Sequence, residues 1–387
     1  MVHVSLSSRS GWLLAACSCA VLGVALVTPA LGADTPTGSA TPAGIAGQPE
    51  PWVATQLEGA QAVAAGHGRY VAVGATGFPS QTAAWTSTDG LTWAEATVTD
   101  SPVGRSMTDV IATEDGFVAF GVESGVFDGT AERARAWFSP DGLEWQEAVV
   151  KAPAKSGNQV VVNGLSDGPA GQMALGTFIG GDGGQRLWRT ADGLNWERAK
   201  LPDARGRTWG GVVSVPQGYL LLGQSLTGES YNWRSADGVG WKRLRGTPQF
   251  FDVAAADTGA LVGVGYKDIY RSPRGLRAWE KVWTRPKSWQ VAGANAFEWV
   301  AWDGSEFVVP GRDFSTCSPS SDECHRDPLL VSLDGSAWSE AAGPDGLPGA
   351  DDAVWLLDVA SLDDSTVVLG HDHGSTTVWA IGSGATE

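Results

Sequence analysis

Residues 83–96 read AAWTSTDGLTWAEA, and the chain repeats this arrangement. RAWFSPDGLEWQEA occupies 135–148, RLWRTADGLNWERA 186–199 and YNWRSADGVGWKRL 231–244. Degenerate copies, DIYRSPRGLRAWEKV and PLLVSLDGSAWSEA, lie at 268–282 and 328–341. The turn glycines Gly90, Gly142, Gly193, Gly238, Gly275 and Gly335 are spaced 37 to 60 residues apart. A period of this size restricts the chain to architectures in which each unit buries its apolar face on the next. Asp-Gly between two β-type runs is a strong hairpin signal, because Gly accepts a positive φ and Asp bonds the turn backbone. The Ser or Thr two residues before Asp supplies a further backbone bond. The flanking Trp side chains bury large areas between units. The motif is therefore read as a structural corner rather than as chemistry.

A second hairpin precedes each copy: an apolar run, a polar turn, then an apolar run ending in Gly. AVAAGHGRYVAVG (62–74), DVIATEDGFVAFG (109–121), NGLSDGPAGQMALG (163–176) and GVVSVPQGYLLLG (211–223) are the first four. DVAAADTGALVGVG (252–265), WVAWDGSEFVVPG (299–311) and DVASLDDSTVVLG (358–370) follow. Two hairpins make a four-stranded antiparallel blade, so the expectation is an all-β, seven-bladed β-propeller over 51–387. The seventh unit begins at TTVWAIGSG (376–384) and then the chain ends, one strand short. PWVATQL at 51–57 is the predicted missing strand, which closes the ring and removes two exposed edges.

The motif resembles the Asp-box, or BNR repeat, of sialidase-like propellers, whose usual form is Ser-x-Asp-x-Gly-x-Thr-Trp. Ser87, Asp89, Gly90, Thr92 and Trp93 match in kind, with Asp and Gly adjacent so that the loop is one residue shorter. The resemblance implies the fold; the family spans glycosidases, receptors and assembly factors, so it leaves activity open. A sialidase would bring an arginine triad, a Tyr nucleophile with a Glu partner and an Asp acid. This chain has no Phe/Tyr-Arg-Ile-Pro run and only five Tyr, and sialidases have six blades. A binding module is the primary expectation and a secreted glycoside hydrolase, which needs two opposed carboxylates, is the alternative.

The first 33 residues combine Arg9, an apolar stretch from Gly11 and small residues at ALGA, the pattern of a secretory signal peptide. LAAC at 14–17 has the form of a lipobox, so a lipid anchor through Cys17 is the alternative. Residues 34–50, DTPTGSATPAGIAGQPE, read as a flexible linker. No later apolar run is long enough to span a bilayer. The formal charge is −17, and loss of the signal, with one Arg and no acid, leaves −18. Such a surface repels phosphate backbones, which excludes nucleic acid as the expected partner. An envelope or extracellular glycan or protein fits better, and the chain is expected to be a monomer. Outside the signal the only cysteines are Cys317 and Cys324, and an exported chain with such a pair is expected to form a disulfide.

The Asp-Gly turns should occupy one face and leave the opposite, upper face for ligands. Asp109, Asp252 and Asp358 stand at equivalent positions, expected at the start of innermost strands. They read as an acidic ring, or as carboxylates that bond backbone amides of a neighbouring blade. Trp209, Trp289 and Trp355 fall in inter-blade segments, where an aromatic face binds a sugar or packs between blades. These six form the candidate ligand site. No cofactor is expected, except that His325, His371 and His373 in neighbouring upper loops are a candidate divalent-metal cluster.

Overall fold

The computed structural model describes residues 52–124, 133–151, 159–179, 184–203, 208–224, 229–276, 278–289, 297–311, 328–341, 354–363, 365–372 and 375–381. The predicted signal peptide and linker, and Cys317, Cys324, His325 and His373, lie outside them. All elements among the described residues are strands, and none is a helix long and apolar enough to cross a membrane.

The strands form antiparallel four-stranded meanders in a propeller-like arrangement. Five sheets stand alone, built from residues 60–95, 208–243, 252–284, 301–340, and 354–381 joined by 53–56. The sequence predicts seven separate four-stranded blades, and only these five stand as such among the described residues. Residues 105–150 and 159–199 instead share one nine-stranded sheet, because their outermost strands pair. Glu144–Val150 runs parallel to Asn195–Ala199, with Val149 N–H on Leu194 O and Lys151 N–H on Trp196 O, both at 2.8 Å. The pairing is parallel because both outermost strands leave their Asp-Gly turns in the same direction.

The N-terminal strand sits where the unfinished repeat predicts. Val53–Gln56 pairs antiparallel with Ser375–Ile381 in the register Val53↔Ala380 to Gln56↔Thr377. Leu57 N–H extends the ladder to Thr376 O at 2.9 Å. Trp52 is buried with Trp299, Leu356 and Trp379. Side chains of each meander meet those of its successor in a buried cluster, and those of 354–381 meet 60–95 in the same way. The apolar core is thus a cycle of interfaces between sheets.

The turns explain why the motif has its composition. Ser87 Oγ donates to Asp89 Oδ1 and accepts from Gly90 N–H, each at 2.8 Å. Asp89 Oδ1 also accepts from the Leu91 and Thr92 amides, both at 2.8 Å. Asp237 repeats this, and the Gly240 and Val239 amides with Ser235 hold its carboxyl at about 2. Gly142 has φ +77°, and a Cβ there would lie 2.6 Å from Val71 Cγ2 of the preceding meander. Gly90 has φ +74° and the same relation to Val367 Cγ1, also at 2.6 Å. The turn glycine is required twice over, for its backbone conformation and for the close approach of two sheets. Trp93 Nε1 donates to Gly90 O at 2.9 Å and Trp196 Nε1 to Gly193 O at 3.0 Å, which ties the indole to the corner.

Candidate functional site

The alternating strand directions put the Asp-Gly turns and the inner-hairpin turns on one face. The upper face carries the connections between meanders and the loops between second and third strands.

Two of the sequence-predicted ligand tryptophans, Trp209 and Trp289, are buried between sheets. Trp209 is 2% exposed, packed against Tyr231 and Trp233 at ring distances of 5.6 and 6.5 Å. Trp289 is 5% exposed, against Trp283 at 5.5 Å and Phe297 at 6.3 Å. The two belong to different inter-sheet clusters. Trp355 pairs by its backbone with His371, and its side chain is outside the described set.

Asp109, Asp252 and Asp358 are all buried. Asp358 Oδ2 accepts from Val63 N–H of the next sheet at 2.9 Å, and its Oδ1 from its own neighbour, Val359 N–H, at 3.0 Å. Asp252 Oδ2 accepts from Val300 N–H of the next sheet at 3.1 Å, and Oδ1 is bonded to Val253 N–H. Only Asp252 opens its strand; Asp109 and Asp358 lie inside Arg105–Thr113 and Val354–Leu362. In each of those two strands the register slips immediately before the Asp, at Met107/Asp109 and Leu356/Asp358. At Asp358 this bulge aims the carboxylate sideways, across the inter-sheet boundary, rather than up toward a ligand. Sequence reading missed the bulge because one extra residue leaves no mark in an apolar run.

Of the predicted metal set, only His371 is described. It is half-buried, its Nδ1 lies 3.2 Å from Thr376 Oγ1, and burial pushes its imidazole below the usual value. Among the described residues no three His, Cys, Asp or Glu side chains converge on a metal position. Burial raises the carboxyls of Asp167 and Asp303, as a glycosidic acid requires. Asp167 accepts from Gln172 Nε2 at 2.7 Å, and Asp303 from the Ser305 and Glu306 amides of its own turn. Both lie at inner-hairpin turns, away from the upper face.

The upper end of 60–150 carries groups that no periodicity announced. Ser80 O accepts from Gly104 N–H and Gly104 O from Ser124 N–H, each at 2.6 Å, which knits three upper segments together. Phe78, on the first of these, is 91% exposed, and Val103, on the second, 58%. Beneath them Arg105 Nη1 meets Glu147 Oε2 at 2.6 Å and Arg135 Nη1 meets Glu147 Oε1 at 3.0 Å. Arg135 Nε also donates to Glu123 Oε2 at 2.8 Å. Burial pushes the Glu123 carboxyl up, but the hydrogen bond and charge of Arg135, with Arg105 and Arg133, outweigh it and hold the group below its ordinary value. Phe78 thus stands exposed on a loop joined by backbone bonds to its neighbour.

No protein-family model matches the chain, and no curated protein matches it. Solved structures similar to it include YCF48 bound to D1 peptide, at 12% identity and TM-score 0.40 over 87% of this chain and 98% of that one. YCF48 from Cyanidioschyzon merolae is similar at 14% identity and TM-score 0.47 over 85% and 98%. At these values the likeness supports no inference about this chain, so its reading rests on its own geometry.

Proposed function

We propose that this chain is a non-catalytic binding module that holds a protein partner on its upper face through Phe78 and Val103. The single observation that carries the reading is a Phe at 91% exposure on a loop tied by backbone bonds to its neighbour. Burying an exposed Phe on a preformed loop contributes about 1.5–3 kcal/mol and costs little ordering. We read the nine-stranded sheet as two blades, which makes the whole a seven-bladed ring closed by residues 53–56. The leader-like pattern of 1–33 supports export, with Cys17 as the alternative lipid anchor and a Cys317–Cys324 disulfide as a consequence. Binding of this kind needs no cofactor.

The test is a photocrosslinking amino acid at position 78, compared with position 239 on the turn face, in the producing cells. A discrete adduct at 78 that purified unlabelled protein competes away, with none at 239, supports the reading. Equal labelling at both positions, or none at 78, overturns it.

A further inference from the structure

We propose that the upper end of the strand pair Gly184–Thr190 and Asn195–Ala199 is an oxyanion-binding groove, taking a carboxylate or phosphate group on Arg186, Arg198 and Lys200. The groove encloses about 410 Å³, within the range of small-ligand sites. Its lining includes these three cations and no acidic side chain.

The chain has 43 Asp and Glu against 26 Lys and Arg, so a groove lined by three cations and no carboxylate partner runs against its composition. Arg105, Arg135, Arg271 and Lys151 each have one. Among the described residues Arg186, Arg198 and Lys200 form no ion pair. The nearby acids are already engaged. Glu197 is bonded to Lys151 at 3.0 Å, and Asp192 is held in its turn by the Leu194 and Asn195 amides.

Arg186 is also preorganised. Its Cζ sits 5.7 Å from the centre of the Phe178 ring, and Nη1 donates to Gln185 O at 3.0 Å. Gln185 is fixed in turn by Trp209, whose N–H and O bond its side-chain amide at 2.6 Å each. One guanidinium donor is used and the others remain for a ligand, in the fork that suits carboxylate or phosphate. Burial and the charge of Arg198 both push Arg186 below its ordinary value. Two guanidiniums that oppose each other without an anion are an unfavourable arrangement, which a bound oxyanion relieves. The groove lies in a different meander from Phe78 and stands independently of the partner proposed there.

The test is calorimetric titration with inorganic phosphate, citrate and a tetraglutamate peptide, at constant ionic strength held with sodium chloride. The three probes distinguish a small anion from an acidic protein segment. We expect saturable binding of at least one probe, weakened about tenfold or more in Arg186→Gln/Arg198→Gln. Arg274→Gln, an exposed cation elsewhere, should bind as the unmodified protein does. If the double variant melts early, Lys200→Gln replaces it with the same expected direction. No saturable binding of any probe up to about 10 mM, or equal binding by the groove variants, overturns the proposal.

Discussion

In residues 105–199 two neighbouring repeats share hydrogen bonds through their outermost strands; in the sheet of 354–381 the outermost strand arrives from the other end of the chain. Both arrangements cover a sheet edge. The first uses residues close in sequence, with the Lys151–Glu197 ion pair across it, and the Arg105–Glu147–Arg135–Glu123 chain of ion pairs lies within its first repeat. The second depends on a strand of four residues, anchored by Trp52 and Leu57 on either side. The difference teaches that covalent neighbourhood is not what makes these sheets pack. The interface between 354–381 and 60–95 uses the same devices as the contiguous ones, including a turn glycine against a second strand and a Tyr across the boundary.

Removing the non-local strand is the largest break. A chain beginning at Glu58 loses the burial of Trp52 and Leu57 and opens the edge of Ser375–Ile381. Loss of one buried Trp alone costs about 3–5 kcal/mol. Thermal unfolding should place this chain well below one beginning at Asp34; equal melting temperatures would show that the strand contributes nothing.

Glycine substitutions compare the two interfaces directly. Gly142→Ala meets Val71 across the contiguous boundary, and Gly90→Ala meets Val367 across the closing one. Gly68→Ala shares the positive φ but has nothing within 4 Å. All three carry the left-handed backbone cost of about 1–2 kcal/mol. Only the first two add an overpacking cost, about 1–3 kcal/mol more. Urea unfolding should rank Gly142→Ala and Gly90→Ala together, below Gly68→Ala. A Gly90→Ala variant as mild as Gly68→Ala would mean that the closing interface is loose.

The tyrosines give a smaller, matched pair. Tyr70 Oη donates to Ser365 O at 2.7 Å across the closing boundary, and Tyr219 Oη to Gly171 O at 2.6 Å across a contiguous one. Each also accepts a backbone amide of the same turn, from Leu362 at 3.2 Å and from Ala170 at 3.1 Å. Burial pushes both phenols up to about 12, so neither ionises near neutrality. Replacing either by Phe leaves buried backbone groups unpaired and should cost about 1–3 kcal/mol by chemical denaturation. A loss confined to Tyr219→Phe would separate the two interfaces.

The smallest effect belongs to the ion-pair chain. The Glu123 carboxyl is depressed in the folded state. Its contribution is therefore complete above the ordinary carboxylate range and fades as pH falls through the folded value. Partial exposure limits it to about 1 kcal/mol or less. The melting difference between the unmodified protein and Glu123→Gln should be present at pH 7 and vanish in strong acid. A difference that persists there would assign the effect to packing.

The periodic elements were legible from residues alone. Asp-Gly with a preceding Ser or Thr forms the turn by its own hydrogen bonds, so it reads the same in isolation as in the fold. The missing last strand was legible as well, because an incomplete repeat and a matching PWVATQL segment define each other. The shared sheet of 105–199 was not, since parallel pairing of two outer strands depends on how closely their meanders sit. Nor was the fate of Trp209 and Trp289. A Trp outside the motif looks available in sequence, and only the fold shows Tyr231 and Trp283 already against it.

The sequence by itself determined the repeat, its corners and the pairing of its two ends, because each follows from bonds within a few residues or from a count of strands. Tertiary structure alone decided which side chains reach solvent. A one-residue bulge turns Asp358 toward Val63 of the next sheet, and one loop lifts Phe78 into the open. Both outcomes are set by how adjacent sheets approach, and that distance is fixed by contacts between residues far apart in the chain.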